Sequence, residues 1–87
     1  MTYQKEPLEI NMPAQSGKYN VTVSVKAHSD TVFSLWDSSY GYVTENSEIS
    51  ENEARDICFM ADITDCIQVK IYCDGDLSAT VMAEYTE

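Results

Sequence analysis

The alternation of apolar and polar residues over positions 17–26 is the clearest structural signal in this chain. Every second position there is apolar and the positions between are polar. A β-strand turns successive side chains to opposite faces, so this pattern predicts a strand with one face against a core and one in water. The apolar positions of this stretch are Tyr19, Val21, Val23 and Val25.

Similar stretches divided by turn residues recur along the rest of the chain. A short first strand between Pro7 and Pro13 suits a sheet edge, because proline cannot donate to a ladder. Together the stretches predict an all-β fold: an antiparallel β-sandwich, jelly-roll or immunoglobulin-like, with about six or seven short strands. Residues 1–87 form one domain in this interpretation, with residues 1–6 frayed. The further predicted strands cover residues 31–36, 43–48, 54–63, 67–73 and 77–85.

The strand over residues 31–36 places a large aromatic residue away from the core. Phe33 and Leu35 share the predicted core face, so Val32, Ser34 and Trp36 point outward. Large exposed aromatic side chains often mark contacts with other molecules. Trp36 is therefore the first candidate for function.

The charge balance excludes two classes of partner. The sequence contains fifteen Asp and Glu residues but only five Lys and Arg, which gives a formal net charge of −10. Phosphate contacts need Lys and Arg, and anionic membrane surfaces attract basic segments, so we expect neither a nucleic acid nor a membrane as a partner. No apolar leader follows Met1, which predicts a cytoplasmic chain, or an extracellular one if it is excised from a secreted enzyme.

The three cysteines, Cys58, Cys66 and Cys73, match no zinc-ligand spacing and do not pair evenly. Buried free thiols are predicted, with one disulfide and one free thiol as the alternative. Together with the missing apolar leader, the odd number of cysteines favours a reducing compartment.

An aromatic cluster gives the one candidate binding site. Sugar rings stack their C–H faces on aromatic rings, while carboxylates and amides accept or donate hydrogen bonds to hydroxyl groups. The alternative is that Trp36 closes one end of the core and the tyrosines surround it. The candidate ligand-binding residues are Trp36, Tyr40 and Tyr42, with Asp37, Glu45 and Asn46 as their polar neighbours.

No catalytic or metal constellation emerges from the sequence. The consecutive residues His28, Ser29 and Asp30 form a turn rather than a triad, because a triad is assembled in space. Four aspartates that flank turns are predicted to be turn formers, with calcium binding as the alternative. We therefore expect no cofactor, no metal and no enzymatic activity. These aspartates are Asp62, Asp65, Asp74 and Asp76.

The stretch from Pro13 to Val23, in which a proline and a glycine precede alternating Tyr and Val, resembles the entry strand of small carbohydrate-associated sandwiches. The chain is similar to the N-terminal accessory domain of rhamnogalacturonan acetylesterase-like, GDSL-type carbohydrate esterases. The likeness includes residues 31–36 and 55–59 and extends over residues 13–84. The esterase nucleophile motif Gly-Asp-Ser-Leu does not occur in the sequence.

This resemblance implies a non-catalytic accessory module that binds carbohydrate weakly or supports a neighbouring catalytic domain. The expected partners are a polysaccharide or such a domain. The alternative hypothesis is a protein-interaction or assembly domain that pairs through an exposed strand edge, including pairing into a homodimer.

Overall fold

A computed structural model describes residues 6–86 and confirms the all-β sandwich. It contains seven antiparallel strands, and no helix lies within these residues. The prediction that residues 1–6 fray falls, except for Glu6, outside the described residues. The strands are β1 (Leu8–Pro13), β2 (Gly17–Ala27), β3 (Thr31–Asp37), β4 (Gly41–Ile49), β5 (Ala54–Ile63), β6 (Cys66–Cys73) and β7 (Leu77–Tyr85).

The strands form two sheets whose order separates sequence neighbours. The four-stranded sheet has the order β1-β6-β3-β4, and the three-stranded sheet has the order β5-β2-β7. β2, which contains the alternating stretch over residues 17–26, is thus central, pairing with β5 over ten residues and with β7 over nine. β1 lies at a sheet edge, as Pro7 before it and Pro13 at its end predict.

The core lies between the two sheets and contains the predicted apolar positions. Val21, Val23 and Val25 of β2 are fully buried, as are Phe33 and Leu35 of β3. The predicted faces of these strands are therefore correct. A sandwich of this kind is stabilised mainly by apolar surface removed from water between its two inner faces. The inner residues of β6 complete the core: Ile67, Val69, Ile71 and Cys73.

Strand β4 extends beyond the predicted strand over residues 43–48 at both ends and is irregular. Its register against β3 shifts twice, and Glu45 and Asn46 together stand opposite the single residue Ser34. Asn46 adopts a φ of 50°, a left-handed conformation that asparagine tolerates. The Asn46 N–H donates to Ser34 Oγ at 3.0 Å, which fixes this bulge. Bulges of this kind disrupt pairing at an edge.

Backbone N–H groups that donate to aspartate and serine side chains join three turns at one end of the sandwich. Asp30 Oδ1 accepts from the Glu51 N–H at 2.8 Å, and Ser29 Oγ accepts from the Asp76 N–H at 3.0 Å. Asp74 Oδ1 accepts from a β3 amide in the same region. The turn predicted for residues 28–30 is confirmed.

The aspartates considered for calcium do not come together. Asp62 and Asp65 flank the β5–β6 turn, whereas Asp74 and Asp76 flank the β6–β7 turn. Because β6 runs the length of the sheet, these turns lie at opposite ends of the sandwich. Within residues 6–86, no group of three or more His, Cys, Asp or Glu side chains is placed to hold a metal ion.

All three cysteines are free, but only Cys73 is buried. Cys58 lies on the outer face of β5, and Cys66 begins β6 after an exposed turn, so the predicted burial is wrong for both. Partial desolvation and the neighbouring Asp65 carboxylate raise the pKa of the Cys66 thiol.

A thiol reagent should therefore label Cys58 and Cys66 in the native protein, and Cys73 only after denaturation. The thiolate is the nucleophile, so the raised pKa of Cys66 should slow its labelling near neutral pH. Peptide mapping after timed labelling measures both rates. Equal labelling of all three thiols in the folded state would contradict the burial of Cys73.

Candidate functional site

A row of four side chains crosses the outer face of the four-stranded sheet. Tyr42 on β4 is the register partner of Trp36 on β3, Trp36 is the partner of Lys70 on β6, and Lys70 is the partner of Glu9 on β1. Neighbouring strands lie roughly 4.8 Å apart, so the row extends for about 14 Å. Direct cross-strand partners on one face are close enough for their side chains to touch.

Charge and aromatic contacts join neighbouring members of this row. Lys70 Nζ lies 5.5 Å from the centroid of the Trp36 ring, a cation–π distance. The same Nζ lies 3.8 Å from Glu9 Oε2, and Asn11 Nδ2 donates to Glu9 Oε1 at 3.3 Å. Both ions are partly exposed, so the pair contributes little to stability and can rearrange around a ligand.

Tyr72 adds a third aromatic ring to the same face. It follows Lys70 by two positions on β6 and pairs with Ser34, two positions before Trp36. Tyr72 is thus a diagonal neighbour of Trp36, a separation that aromatic side chains can span. We call the surface made by Trp36, Tyr42, Tyr72, Lys70 and Glu9 the aromatic face.

The structure separates the predicted aromatic cluster. Trp36 is half-buried and Tyr42 is 52% exposed on the aromatic face. Tyr40 is 55% exposed but belongs to the β3–β4 turn, where its ring meets Phe59 edge-on at a centroid distance of 5.4 Å. Because Phe59 lies on the other sheet, Tyr40 covers the end of the sandwich and is not part of the aromatic face.

The three polar candidates also occupy different positions. Asp37 is fully buried, and its Oδ2 accepts from Ser39 N–H, Ser39 Oγ–H and Tyr40 N–H. This carboxylate shapes the turn and is inaccessible to a ligand. Glu45 and Asn46 form the exposed bulge of β4.

Sequence reasoning missed the members of the aromatic face on β1 and β6. Glu9, Lys70 and Tyr72 are far in sequence from Trp36, and only the strand order brings them to it. The alternation in β6 is a usable signal, because it places Gln68, Lys70 and Tyr72 on one outer face.

Among the described residues, the single histidine lies close to a serine. His28 Nε2 lies 3.0 Å from Ser78 Oγ on an exposed surface, and no carboxylate within residues 6–86 orients the ring. A serine activated by histidine usually needs such a third group and an oxyanion site. A cleft of about 290 Å³ beside the joined turns contains Asp30, Glu48 and Asp74.

The Glu53 carboxylate near these turns has a structural role. It accepts the Ser50 N–H at 3.0 Å and forms an ion pair with Arg55 at 2.8 Å. The Ser50 amide and the Arg55 guanidinium lower the pKa of Glu53. A Ser followed three residues later by Glu is the pattern of a helix capping box, but here its hydrogen bond closes a turn and starts no helix.

Comparison with protein-family models, with curated proteins and with solved structures gives no match. Over residues 6–86, no helix is long and apolar enough to cross a membrane.

Proposed function

We propose that this domain is a non-catalytic carbohydrate-binding module and that the aromatic face is its binding surface. The observation that carries the proposal is the row of Tyr42, Trp36, Lys70 and Glu9 across four adjacent strands. Sugar rings have apolar C–H faces that stack on aromatic rings and hydroxyl groups that need polar partners. The row supplies both kinds of contact within one surface.

The shape of the surface favours an extended chain as the ligand. The side chains of the aromatic face stand on adjacent strands of one sheet, so the face gives several stacking positions along one surface. Tyr42 and Trp36 form one pair of neighbouring rings, and Tyr72 lies diagonally from Trp36. A polysaccharide can contact Tyr42 and Trp36 with successive residues, each contributing a modest share of the affinity. We therefore expect weak binding to a single sugar.

Lys70 and Glu9 are the polar groups that a bound sugar would meet. Lys70 Nζ can donate to a hydroxyl or ring oxygen, and Glu9 can accept from a hydroxyl. Lys70 must shift from its position near the Trp36 ring when a sugar stacks there. The long, flexible lysine side chain and its half-exposed partner allow this shift at small cost.

The net charge selects among polysaccharides. A chain of formal charge −10 repels polyanions such as polygalacturonate, and this repulsion weakens as salt increases. Neutral polysaccharides avoid that cost. The resemblance to accessory domains of pectin-active esterases makes the neutral side chains of pectin, galactan and arabinan, the first ligands to test.

Binding should be lost when the central ring is removed. Trp36→Ala deletes the ring that has partners on both sides, so affinity for a neutral polysaccharide should fall by at least about tenfold. Affinity electrophoresis in gels containing galactan, arabinan or polygalacturonate measures the change. In the unaltered protein, fluorescence provides a second readout because Trp36 is the single tryptophan.

A pair of tyrosine variants gives the matched control. Tyr42→Ala and Tyr40→Ala remove the same ring from sites of nearly equal exposure, two positions apart. Only Tyr42 lies on the aromatic face, so Tyr42→Ala should weaken binding while Tyr40→Ala leaves it unchanged. Equal effects of the two variants, or no change in Trp36 fluorescence with any neutral polysaccharide, would overturn the proposal.

A further inference from the structure

Within residues 6–86, β7 has a free edge that differs from the other sheet edges. β1 is six residues long and ends in Pro13, and β4 is interrupted by its bulge. Both features are devices that prevent a further strand from pairing. β7 has nine residues in continuous register with β2, with neither a proline nor a bulge.

β5 is also regular but has more charge along its edge. It contains Arg55, Asp56 and Asp62, and Arg55 Nη2 donates to the Glu48 carbonyl of β4 at 3.0 Å. β7 has a single charged residue, Glu84. It also exposes Met82 and Tyr85, at 69% and 50%. Among the described strands, β7 is the edge with the least protection against pairing.

The hydrogen bonds to β2 show which groups of β7 face outward. The Thr86 N–H donates to the Lys18 carbonyl, and the His28 N–H donates to the Asp76 carbonyl. In an antiparallel ladder, bonded residues recur at every second position, so even-numbered residues of β7 face β2. The N–H and C=O groups of Ala79, Val81 and Ala83 therefore point toward the free edge.

The side chains of these outward-bonding residues are apolar and incompletely covered. Ala79, Val81 and Ala83 face the core side of the sheet but stay half-buried, while the equivalent residues of the central strand β2 are fully buried. A strand added next to β7 would form hydrogen bonds with their N–H and C=O groups. It would also bury more of their side chains. Its own side chains on that face would have to be apolar.

We propose that β7 is a homodimer interface, in which two copies pair β7 to β7 in antiparallel fashion about a twofold axis. Val81 lies at the middle of the nine-residue strand, so centring the axis there pairs the full length of both strands. Val81 then bonds the partner's Val81. The two three-stranded sheets become one continuous six-stranded sheet.

This register is self-complementary in size and charge. Ala79 lies opposite the partner's Ala83, and Met82 lies opposite the partner's Thr80. Glu84, the one charged residue of the strand, lies opposite the partner's Ser78, so no like charges face each other directly. An identical strand thus meets the requirements of the free edge: equal length, apolar residues toward the core and no opposed charge.

The net charge gives the dimer a distinctive salt dependence. Two copies of formal charge −10 repel each other at long range, and salt screens that repulsion. Dimerisation should therefore tighten as ionic strength rises. Pairing that depended on attraction between opposite charges would weaken instead.

Proline substitution tests the interface directly. Val81→Pro removes an N–H that faces the free edge and takes no bond from β2, so the fold should survive while dimerisation weakens by at least about tenfold. Asn11→Pro is the matched control. The hydrogen bonds of β1 to β6 leave the Asn11 N–H pointing away from β6, at the β1 edge of the four-stranded sheet. Sedimentation velocity at increasing protein concentration measures both variants, and circular dichroism checks folding.

A charge-complementation experiment tests the register and does not depend on a proline variant that folds. Thr80→Glu with Met82→Glu, or Thr80→Lys with Met82→Lys, places like charges opposite each other across the axis. Both positions are exposed, so each double variant should fold but stay monomeric. Mixing the two should restore a dimer containing one copy of each.

Three results would overturn the proposal. The first is an unaltered protein that remains monomeric up to about millimolar concentration. The second is a dimer that Val81→Pro and the charge variants leave intact. The third is loss of the dimer with Asn11→Pro to the same extent as with Val81→Pro. Loss of polysaccharide binding is a separate measurement and does not affect this outcome.

Discussion

Replacing Val23 with aspartate should unfold the domain. Val23 is fully buried in the central strand β2, between Ile57 of β5 and Val81 of β7. An unpaired carboxylate at such a site costs several kcal/mol, whereas a small domain has roughly 5 kcal/mol or a little more of total stability. Val23→Asp should therefore lack a cooperative thermal transition, as recorded by circular dichroism.

Thr22→Asp is the control for this prediction. Thr22 precedes Val23 on the same strand and faces the outside of the three-stranded sheet, where its Oγ1 lies 3.5 Å from Cys58 Sγ. The same substitution there leaves the carboxylate in contact with water, so the loss should be about 1 kcal/mol. Greater damage from Thr22→Asp than from Val23→Asp would mean that the two faces of β2 are reversed.

Period-two patterning explains why so much of the sandwich could be predicted. The strands over residues 54–63 and 77–85 agree with β5 and β7 end to end, because each pairs with β2 in one uninterrupted register. β4 is less predictable. Its two register shifts depend on contacts with β3, such as the hydrogen bond from the Asn46 N–H to Ser34 Oγ. The alternation of apolar and polar residues along β4 does not indicate these contacts.

The candidate site was harder to predict from the sequence because the strand order decides which residues come together. Trp36, Tyr40 and Tyr42 lie within seven residues, yet the β3–β4 turn sends Tyr40 to the end of the sandwich and leaves the other two on the sheet. Lys70 and Glu9 reach Trp36 only through the order β1-β6-β3-β4. Sequence proximity therefore indicated the region, while the strand order determined its members.

The two proposed surfaces are compatible with each other. The aromatic face lies on the four-stranded sheet, and the β7 edge belongs to the three-stranded sheet. A twofold axis perpendicular to a continuous six-stranded sheet places both four-stranded sheets on the same side of it. The two aromatic faces of a dimer would then point in one direction, so that a single polysaccharide surface could bind both and gain avidity.

Removing the Asp37 carboxylate should cause the second-largest loss of stability. Asp37 is fully buried at the end of β3, and its Oδ2 accepts three hydrogen bonds of 2.7 to 3.0 Å from Ser39 and Tyr40. Charge-assisted bonds are stronger than neutral ones, but the donors in this turn can partly turn to water after the substitution. Asp37→Ala should therefore lower the free energy of unfolding by about 2 to 4 kcal/mol.

Two further variants show how much of this loss depends on the charge of Asp37 and how much on its burial. Asp37→Asn keeps one oxygen in place for the Ser39 and Tyr40 donors, so it should lose less stability than Asp37→Ala. Asp30→Ala, in a turn at the opposite end, removes an exposed aspartate that accepts one amide bond, and should cost about 1 kcal/mol. Urea titration of all three measures the difference. If Asp37→Ala cost no more than Asp30→Ala, the buried carboxylate would not be what fixes the β3–β4 turn and, with it, the separation of Tyr40 from Tyr42.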